Sequence, residues 1–120
     1  MKNKPFRKRL RFALHGIEIA LKRESSFRFQ CLIAVLVLSI VAILGASPMW
    51  WGLLIITIGS VLSTEMINTA LEYLIDRLHP ELHPEIKRAK DCAAGAVLLS
   101  SVVSIGVFVA FLLDWTKHRS

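Results

Sequence analysis

The stretch that decides the fold is residues 29–64, whose sequence is FQCLIAVLVLSIVAILGASPMWWGLLIITIGSVLST. It contains no charged residue, and Gly45 and Pro48 interrupt it as turn formers. About 20 mainly apolar residues are needed for a helix to cross a hydrocarbon core of roughly 30 Å. We therefore predict two membrane helices, at about residues 26–44 and 49–75, joined by a short turn.

The segments on either side of this stretch extend the same pattern. Residues 92–113 are again free of charge and predict a third membrane helix. The polar segment 76–91 contains two prolines and predicts a loop between the second and third spans. Residues 6–23 predict an amphipathic helix lying on the membrane surface, because apolar residues recur at three- and four-residue steps and basic residues fall mostly off that stripe.

The composition supports this interpretation. The 120 residues are 54% hydrophobic with a mean hydropathy of +0.55, and the apolar residues occur in blocks, unlike those of an ordinary soluble α/β or β domain. We predict an all-α integral membrane protein with one domain over residues 1–120. The net charge of +6 would suit a nucleic-acid binder, but the basic residues flank the membrane segments, so we expect no nucleic-acid partner.

The charge distribution predicts the orientation in the membrane. Nine lysines and arginines lie in residues 1–28, before or at the start of the first span, whereas the turn at 45–48 has none and the segment 76–91 has four. The positive-inside rule then places the N-terminus and the 76–91 loop in the cytoplasm and the C-terminus outside. Trp50, Trp51 and Trp115 would all lie at the outer interface. This orientation suits a protein of the cytoplasmic (inner) membrane.

Four polar residues at the end of the second span are the main candidates for functional residues. Glu65, Asn68, Glu72 and Asp76 point within roughly 80° of one another on a helix. Carboxylates at this depth are costly and indicate function by default, and several on one face favour a divalent cation such as Mg²⁺. Glu24, before the first span, could complete a metal site with Glu72. The alternative is structural ion pairing with nearby basic residues: Arg28, Arg77, Lys87 or Lys90.

Motifs of soluble nucleotide-binding enzymes and of zinc metalloproteases are absent from the sequence. It has no G-x-x-x-x-G-K-[ST], no G-x-G-x-x-G and no H-E-x-x-H. A protein of another class, either a proton or cation pathway lined by Glu65, Glu72 and Asp76 or an assembly subunit, stays open as an alternative. The outer half of the spans offers only Ser and Thr as polar groups, which disfavours permeation.

Several segments together resemble the prokaryotic diacylglycerol kinase family, which includes undecaprenol kinases. They are Glu24-Ser-Ser-Phe-Arg28, Glu65-Met-Ile-Asn-Thr-Ala-Leu-Glu72-Tyr-Leu-Ile-Asp76-Arg77, Glu81-Leu-His83 and Ala89-Lys90-Asp91, followed by Ala93-Ala94-Gly95-Ala96. The similarity runs from about Phe12 to Leu113. The E-x-x-N-[ST]-A-x-E-x-x-x-D-R string is specific, and A-K-D after a loop of this length strengthens it.

The resemblance implies a homotrimeric membrane enzyme with sites shared between neighbouring chains. It would transfer the γ-phosphate of Mg-ATP to the hydroxyl of diacylglycerol, giving phosphatidic acid, or to undecaprenol. The resemblance implies that Glu65 is the catalytic base, that Glu24 and Glu72 are metal ligands, and that Asn68 and Asp76 are supporting polar residues. The nucleotide contacts that it implies are Glu24, Glu72, Glu81, His83, Lys90 and Asp91. The lipid contacts that it implies are Phe27, Arg28 and Glu65.

This chain also departs from the family pattern. Phe12 stands where the best-known member type has a Tyr near the nucleotide, and Gln30 replaces an acid found in some members. His79-Pro80 and His83-Pro84 look more like the undecaprenol kinase branch.

Overall fold

The structure, a computed structural model, describes residues 3–81 and 83–119. Within these residues it is all-helical, with four α-helices and no strand. The helices are α1 (Phe6–Arg23), α2 (Ser25–Ile43), α3 (Pro48–Leu78) and α4 (Pro84–Arg119). The last three are long and apolar enough to cross a membrane by length and composition. The predicted all-α membrane architecture, with one amphipathic helix ahead of three apolar ones, is confirmed.

The segment between the second and third spans differs from the prediction. It was expected to be a loop over 76–91, but α3 continues to Leu78 and α4 begins at Pro84. The connection is therefore residues 79–83, and α4 starts well before residue 92. Pro84 is compatible with the first position of a helix, where its missing N–H costs nothing. His83 Nδ1 accepts the backbone N–H of Glu85 (3.1 Å) and so caps the helix start.

The turn between α2 and α3 is set by a helix-ending motif. Gly45 has φ +69°, a left-handed conformation that glycine adopts without steric cost. Its N–H donates to the carbonyl of Ala42 and the N–H of Ala46 donates to the carbonyl of Val41, both at 3.2 Å. This pair of bonds is the Schellman arrangement, which ends α2 and lets Pro48 open α3.

Helix α1 leaves most of its apolar stripe uncovered. Phe6, Leu10 and Leu14 are exposed, whereas Ala20 is buried against the rest of the chain. On the polar side, Lys22 Nζ donates to Glu18 Oε1 at 3.0 Å, and this hydrogen bond lowers the pKa of the Glu18 carboxyl below its ordinary value. The exposed stripe suits a helix whose apolar side contacts lipid.

The buried core lies at the end of the bundle that carries the tryptophans, which we call the tryptophan end. Val41, Leu54 and Phe111 are each at most 2% exposed, and they join α2, α3 and α4. Two indole N–H groups fasten the surrounding helices: Trp50 Nε1 donates to Asp114 Oδ2 and Trp115 Nε1 donates to the carbonyl of Leu44, both at 3.1 Å. The three tryptophans therefore lie together at one end of the bundle, and the location of this end at the outer interface stays a prediction.

We predict that Phe111→Ala destabilises the bundle by about 3 kcal/mol, since it opens a cavity among three helices. Unfolding in mixed micelles, followed by circular dichroism against SDS fraction, measures this change. Leu113→Ala, on the same helix but 65% exposed, is the matched control and should stay near the wild type. Equal loss in both variants would contradict the assignment of the core.

Candidate active site

The site is built around Glu65, the one acid of the described residues that is buried. Its side chain lies at the point where α3 leaves its uncharged segment, and the residue is only 6% exposed. Gln30 Nε2 on α2 donates to Glu65 Oε1 at 3.1 Å, and Asn68 Nδ2 donates to Glu65 Oε2 at 3.3 Å. Each carboxylate oxygen therefore accepts a hydrogen bond from a neutral amide. These hydrogen bonds reduce the free-energy cost of burying the acid.

Glu72 is connected to Glu65 through Asn68. The same Asn68 amide donates to Glu72 Oε1 at 2.8 Å. Glu65, Asn68 and Glu72 thus form one hydrogen-bonded strip along α3, from buried to exposed. The spacing of these residues predicted a shared helix face, and these hydrogen bonds confirm that geometry.

Asp76 does not join this strip. Its Oδ1 instead accepts from Lys90 Nζ of α4 at 2.5 Å. Lys87 pairs in the same way with Asp91 at 2.7 Å, one turn apart on α4. The structural ion pairing that was weighed as an alternative therefore describes Asp76 in the single chain. Because Asp76 follows Glu72 by four residues, the Lys90 ammonium group lies about one turn of α3 beyond Glu72.

Glu24 reaches α3 from the junction between α1 and α2. It is the extended residue that separates those helices, with φ −110° and ψ 107°. Tyr73, the residue after Glu72, donates its hydroxyl to Glu24 Oε2 at 3.0 Å. Sequence analysis missed Tyr73, because no helical period connects residues that are 49 positions apart.

The acidic side chains of the described residues do not form a closed metal site by themselves. No group of three His, Cys, Asp or Glu residues lies close enough to hold a metal in residues 3–81 and 83–119. However, Asn68, whose Nδ2 donates to Glu72, has a buried Oδ1 with no hydrogen-bond partner within the described residues. Amide and carboxylate oxygens are Mg²⁺ ligands, and Mg²⁺ is usually held by one or two carboxylates together with substrate phosphates and water. The donor set fits an ion brought in with a nucleotide.

The other predicted site residues fall into two groups. Phe27 is buried at the start of α2, with 4% exposure. Arg28 Nη1 donates to the carbonyls of Leu21 and Lys22 at 3.0 Å and so supports the α1–α2 junction. Glu81 and His83 lie exposed on the connection 79–83. Within the described residues, the side-chain hydrogen bonds to Glu65 come from Gln30 and Asn68 and from none of these four residues.

A cleft gives the buried carboxylate access to its surroundings. Ser25, Ser26, Phe29, Gln30 and Glu65 line this opening, which we call the Glu65 cleft. Phe29 is 63% exposed on the outside of α2, at the level where an apolar span begins. The Glu65 cleft therefore opens beside an exposed apolar residue at the start of α2.

The sequence model of a family described as "Prokaryotic diacylglycerol kinase" matches residues 11–112. The chain belongs to this family. It is 35% identical over 96 residues to an undecaprenol kinase of Bacillus subtilis (strain 168), covering 78% of each chain. It is also 30% identical over 90 residues to a diacylglycerol kinase of Haemophilus influenzae, covering 75% of this chain and 76% of that protein.

A third relative is a diacylglycerol kinase of Escherichia coli (strain K12), at 30% identity over 94 residues, covering 78% of this chain and 77% of that protein. The predicted resemblance is thereby confirmed, and the protein is a lipid kinase of the prokaryotic diacylglycerol kinase family. This membership favours an enzyme over the channel or assembly subunit.

We predict that Tyr73→Phe raises the Mg²⁺ concentration needed for half-maximal kinase activity by about tenfold, the usual effect of losing a group that orients a metal ligand. The variant removes one hydroxyl and keeps the ring, so α3 should fold as before. Magnesium titrations at saturating ATP and lipid measure the change. Ser39→Ala removes a hydroxyl that only bonds its own helix and should leave the titration unchanged. An unaltered magnesium requirement in Tyr73→Phe would contradict a metal role for Glu24.

Proposed function

We propose that this lipid kinase transfers the γ-phosphoryl group of Mg-ATP to the hydroxyl of diacylglycerol in the cytoplasmic leaflet, giving phosphatidic acid. The observation that supports the proposal is the buried Glu65 carboxylate, held by two neutral amides and open to one cleft at the level where the spans begin. The names of the Haemophilus and Escherichia relatives support the same acceptor.

In this proposal Glu65 is the general base. The lipid hydroxyl oxygen attacks the γ-phosphorus, the bond from that phosphorus to the β–γ bridging oxygen breaks, and ADP leaves. The hydroxyl proton passes to Glu65. Phosphoryl transfer requires mainly positioning and charge neutralisation from the protein. A carboxylate whose oxygens are both fixed by amides is well placed for the first of these tasks.

The exposed end of the strip would hold the nucleotide. Glu72, the unpartnered Asn68 Oδ1 and Glu24 are the proposed ligands of Mg²⁺, which when bound would neutralise charge on the phosphates. Lys90 would exchange Asp76 for a phosphate oxygen, because its ion pair is partly exposed and such pairs are worth about 1 kcal/mol or less. Glu81, His83 and Asp91 are the remaining proposed nucleotide contacts. Phe27 and Arg28 are proposed to support the lipid side.

We also propose that the enzyme is a homotrimer with composite sites. Glu72 is exposed, and the acids of one chain are too few and too dispersed to form a metal cage within the described residues. A neighbouring chain that approaches this strip would add the missing ligands. The proposed location is the cytoplasmic (inner) membrane, with the N-terminus and the site in the cytoplasm and the C-terminus outside, as the lysines and arginines indicate.

Undecaprenol is a second candidate acceptor. It is supported by the 35% identity to the Bacillus undecaprenol kinase, against 30% for the Haemophilus and Escherichia diacylglycerol kinases. Both acceptors are membrane alcohols, so the same base and cleft would serve either of them.

We predict that Glu65→Gln lowers turnover by 100-fold or more, roughly the contribution of a general base. Glutamine keeps the shape of the side chain but does not accept the hydroxyl proton. Transfer of ³²P from ATP to lipid in mixed micelles measures turnover, and size-exclusion chromatography checks that the assembly is intact. Glu18→Gln, on the polar side of α1, is the matched control. Near-normal turnover in Glu65→Gln would remove Glu65 from the role of base.

We predict a higher kcat/KM with diacylglycerol than with undecaprenol when both are presented in the same micelles with Mg-ATP. Thin-layer separation of the two phosphorylated products measures the ratio directly in a competition assay. A reversed ratio would assign the undecaprenol activity to this protein. Phosphorylation of neither acceptor would contradict the proposed function.

A further inference from the structure

The first half of α1 makes no buried contact with the rest of the chain. Every residue from 6 to 15 is exposed, and Gly16 is the first residue of the helix that is not. From there on α1 lies against α3, because Gly16, Ile19 and Ala20 line a cavity between these two helices. Residues 6–15, which we call the exposed half of α1, are therefore open to a partner from outside the described residues.

The exposed half of α1 carries several basic side chains and no acid. Four of them are arginines and lysines: Arg7, Lys8, Arg9 and Arg11. The first acid of the helix is Glu18, and it is already paired with Lys22 in the second half. No other carboxylate in residues 3–81 and 83–119 forms an ion pair with α1. The chain itself therefore leaves these four positive charges uncompensated.

These charges make the exposed half of α1 unstable by itself in water. Pro5, at the N-cap, provides no side-chain hydrogen bond, and the first turn contains no acid. Positive side chains near the start of a helix are unfavourable, because the helix dipole is positive at that end. Isolated helices shorter than about 12 residues are marginal in water even without this repulsion. A partner that stabilises the exposed half must therefore carry negative charge.

The arrangement of side chains around the helix indicates what kind of anion fits. At about 100° per residue, three exposed apolar residues share one face and three basic residues share the next. The apolar ones are Phe6, Leu10 and Leu14, and the basic ones are Arg7, Lys8 and Arg11. A helix of this pattern lies in a membrane interface, with its apolar side in the acyl region and its long basic side chains extended to headgroup phosphates. A soluble polyanion would leave the apolar face in water.

We infer that the exposed half of α1 binds the headgroups of anionic phospholipids, and that this contact keeps Glu24 in position at the candidate active site. The lipid contact goes beyond the proposed kinase activity. The effect on Glu24 rests on the proposed function, in which Glu24 is a ligand of Mg²⁺.

The α1–α2 junction connects the two parts of this inference. Glu24 is the single residue between the helices, and its N–H donates to the carbonyl of Ala20 at 2.9 Å. The Arg28 side chain of α2 holds two further carbonyls of the last turn of α1. Because no flexible linker separates the helices, a change in the direction of α1 displaces Glu24 relative to Tyr73, its hydrogen-bond partner on α3.

Hydrogen exchange of the full-length protein without ATP measures the lipid contact. The comparison is between nanodiscs of phosphatidylcholine and nanodiscs in which a third of this lipid is replaced by phosphatidylglycerol. Amides of residues 6–15 should exchange about tenfold more slowly with phosphatidylglycerol, since each basic residue is worth roughly a fivefold gain in binding to an anionic surface. High salt should remove the difference, because it screens exposed charges. Equal exchange in the two lipids would overturn the inference.

Two variants test whether charge is responsible. The triple variant Arg7→Gln, Lys8→Gln and Arg11→Gln keeps the apolar face and should exchange equally in both lipids. The double variant Arg7→Lys and Arg11→Lys keeps every charge and should behave like the wild type. Residues 107–112, in the core at the tryptophan end, are the internal reference and should not respond to the lipid. A triple variant that still responds to phosphatidylglycerol would overturn the assignment of the basic face.

A soluble polyanion is the competing partner for the same side chains. Inorganic triphosphate, added to nanodiscs of phosphatidylcholine alone, has the charge of a nucleotide without a lipid chain. We expect it to leave the exchange of residues 6–15 almost unchanged. Protection equal to that given by phosphatidylglycerol would assign these basic residues to the nucleotide and overturn the lipid contact.

Magnesium titration of the kinase tests the effect on Glu24. In phosphatidylglycerol nanodiscs the triple variant should need about fivefold more Mg²⁺ for half-maximal activity than the double variant, because a metal ligand loses its support. Both variants are compared in the same lipid, so accumulation of Mg²⁺ at the anionic surface is matched. Slower exchange without this difference would overturn the link to Glu24. Slower exchange in a protein that phosphorylates no lipid would contradict the proposed function and support the lipid contact of α1.

Discussion

The packing of this protein around its candidate active site depends on one carboxylate buried inside an apolar helix bundle. Glu65 is almost wholly buried, and a charge in such a place is unstable unless polar partners surround it. Gln30 and Asn68 supply one amide N–H to each carboxylate oxygen. Because these donors come from α2 and from α3 itself, the position of Glu65 fixes how two spans pack at the acidic end of the bundle. The residues that hold the proposed base in place therefore also determine how α2 packs against α3.

The opposite end of the bundle contains the buried apolar core of the described residues. Val41, Leu54 and Phe111 join three helices, and two indole hydrogen bonds fasten the chain around them. The acidic end, by contrast, has exposed acids, a partly exposed ion pair and the Glu65 cleft. The buried contacts that stabilise the fold therefore lie mainly at the tryptophan end, away from the candidate active site. Access is concentrated where lipid and nucleotide would meet.

The sequence predicted those features that depend on composition and helical period. The uncharged blocks gave α2 and α3 within a few residues, and the spacing of Glu65, Asn68 and Glu72 gave their common face. The long loop was wrong because the polar start of α4 is helical although it is not apolar, and hydropathy cannot recognise a helix that continues into water. The contacts Gln30–Glu65 and Tyr73–Glu24 join residues 35 and 49 positions apart, and no periodicity encodes such pairs.

The most direct test of the central claim is to find where a membrane alcohol meets the protein. A diacylglycerol with a diazirine beside its hydroxyl, activated by light in the lipid-bound enzyme, marks its contacts for mass spectrometry. We expect the label on residues of the Glu65 cleft, chiefly Phe29 and Gln30, and its displacement by unlabelled diacylglycerol. A label confined to the tryptophan end, or one that excess lipid does not displace from the cleft, would show that the alcohol does not approach Glu65.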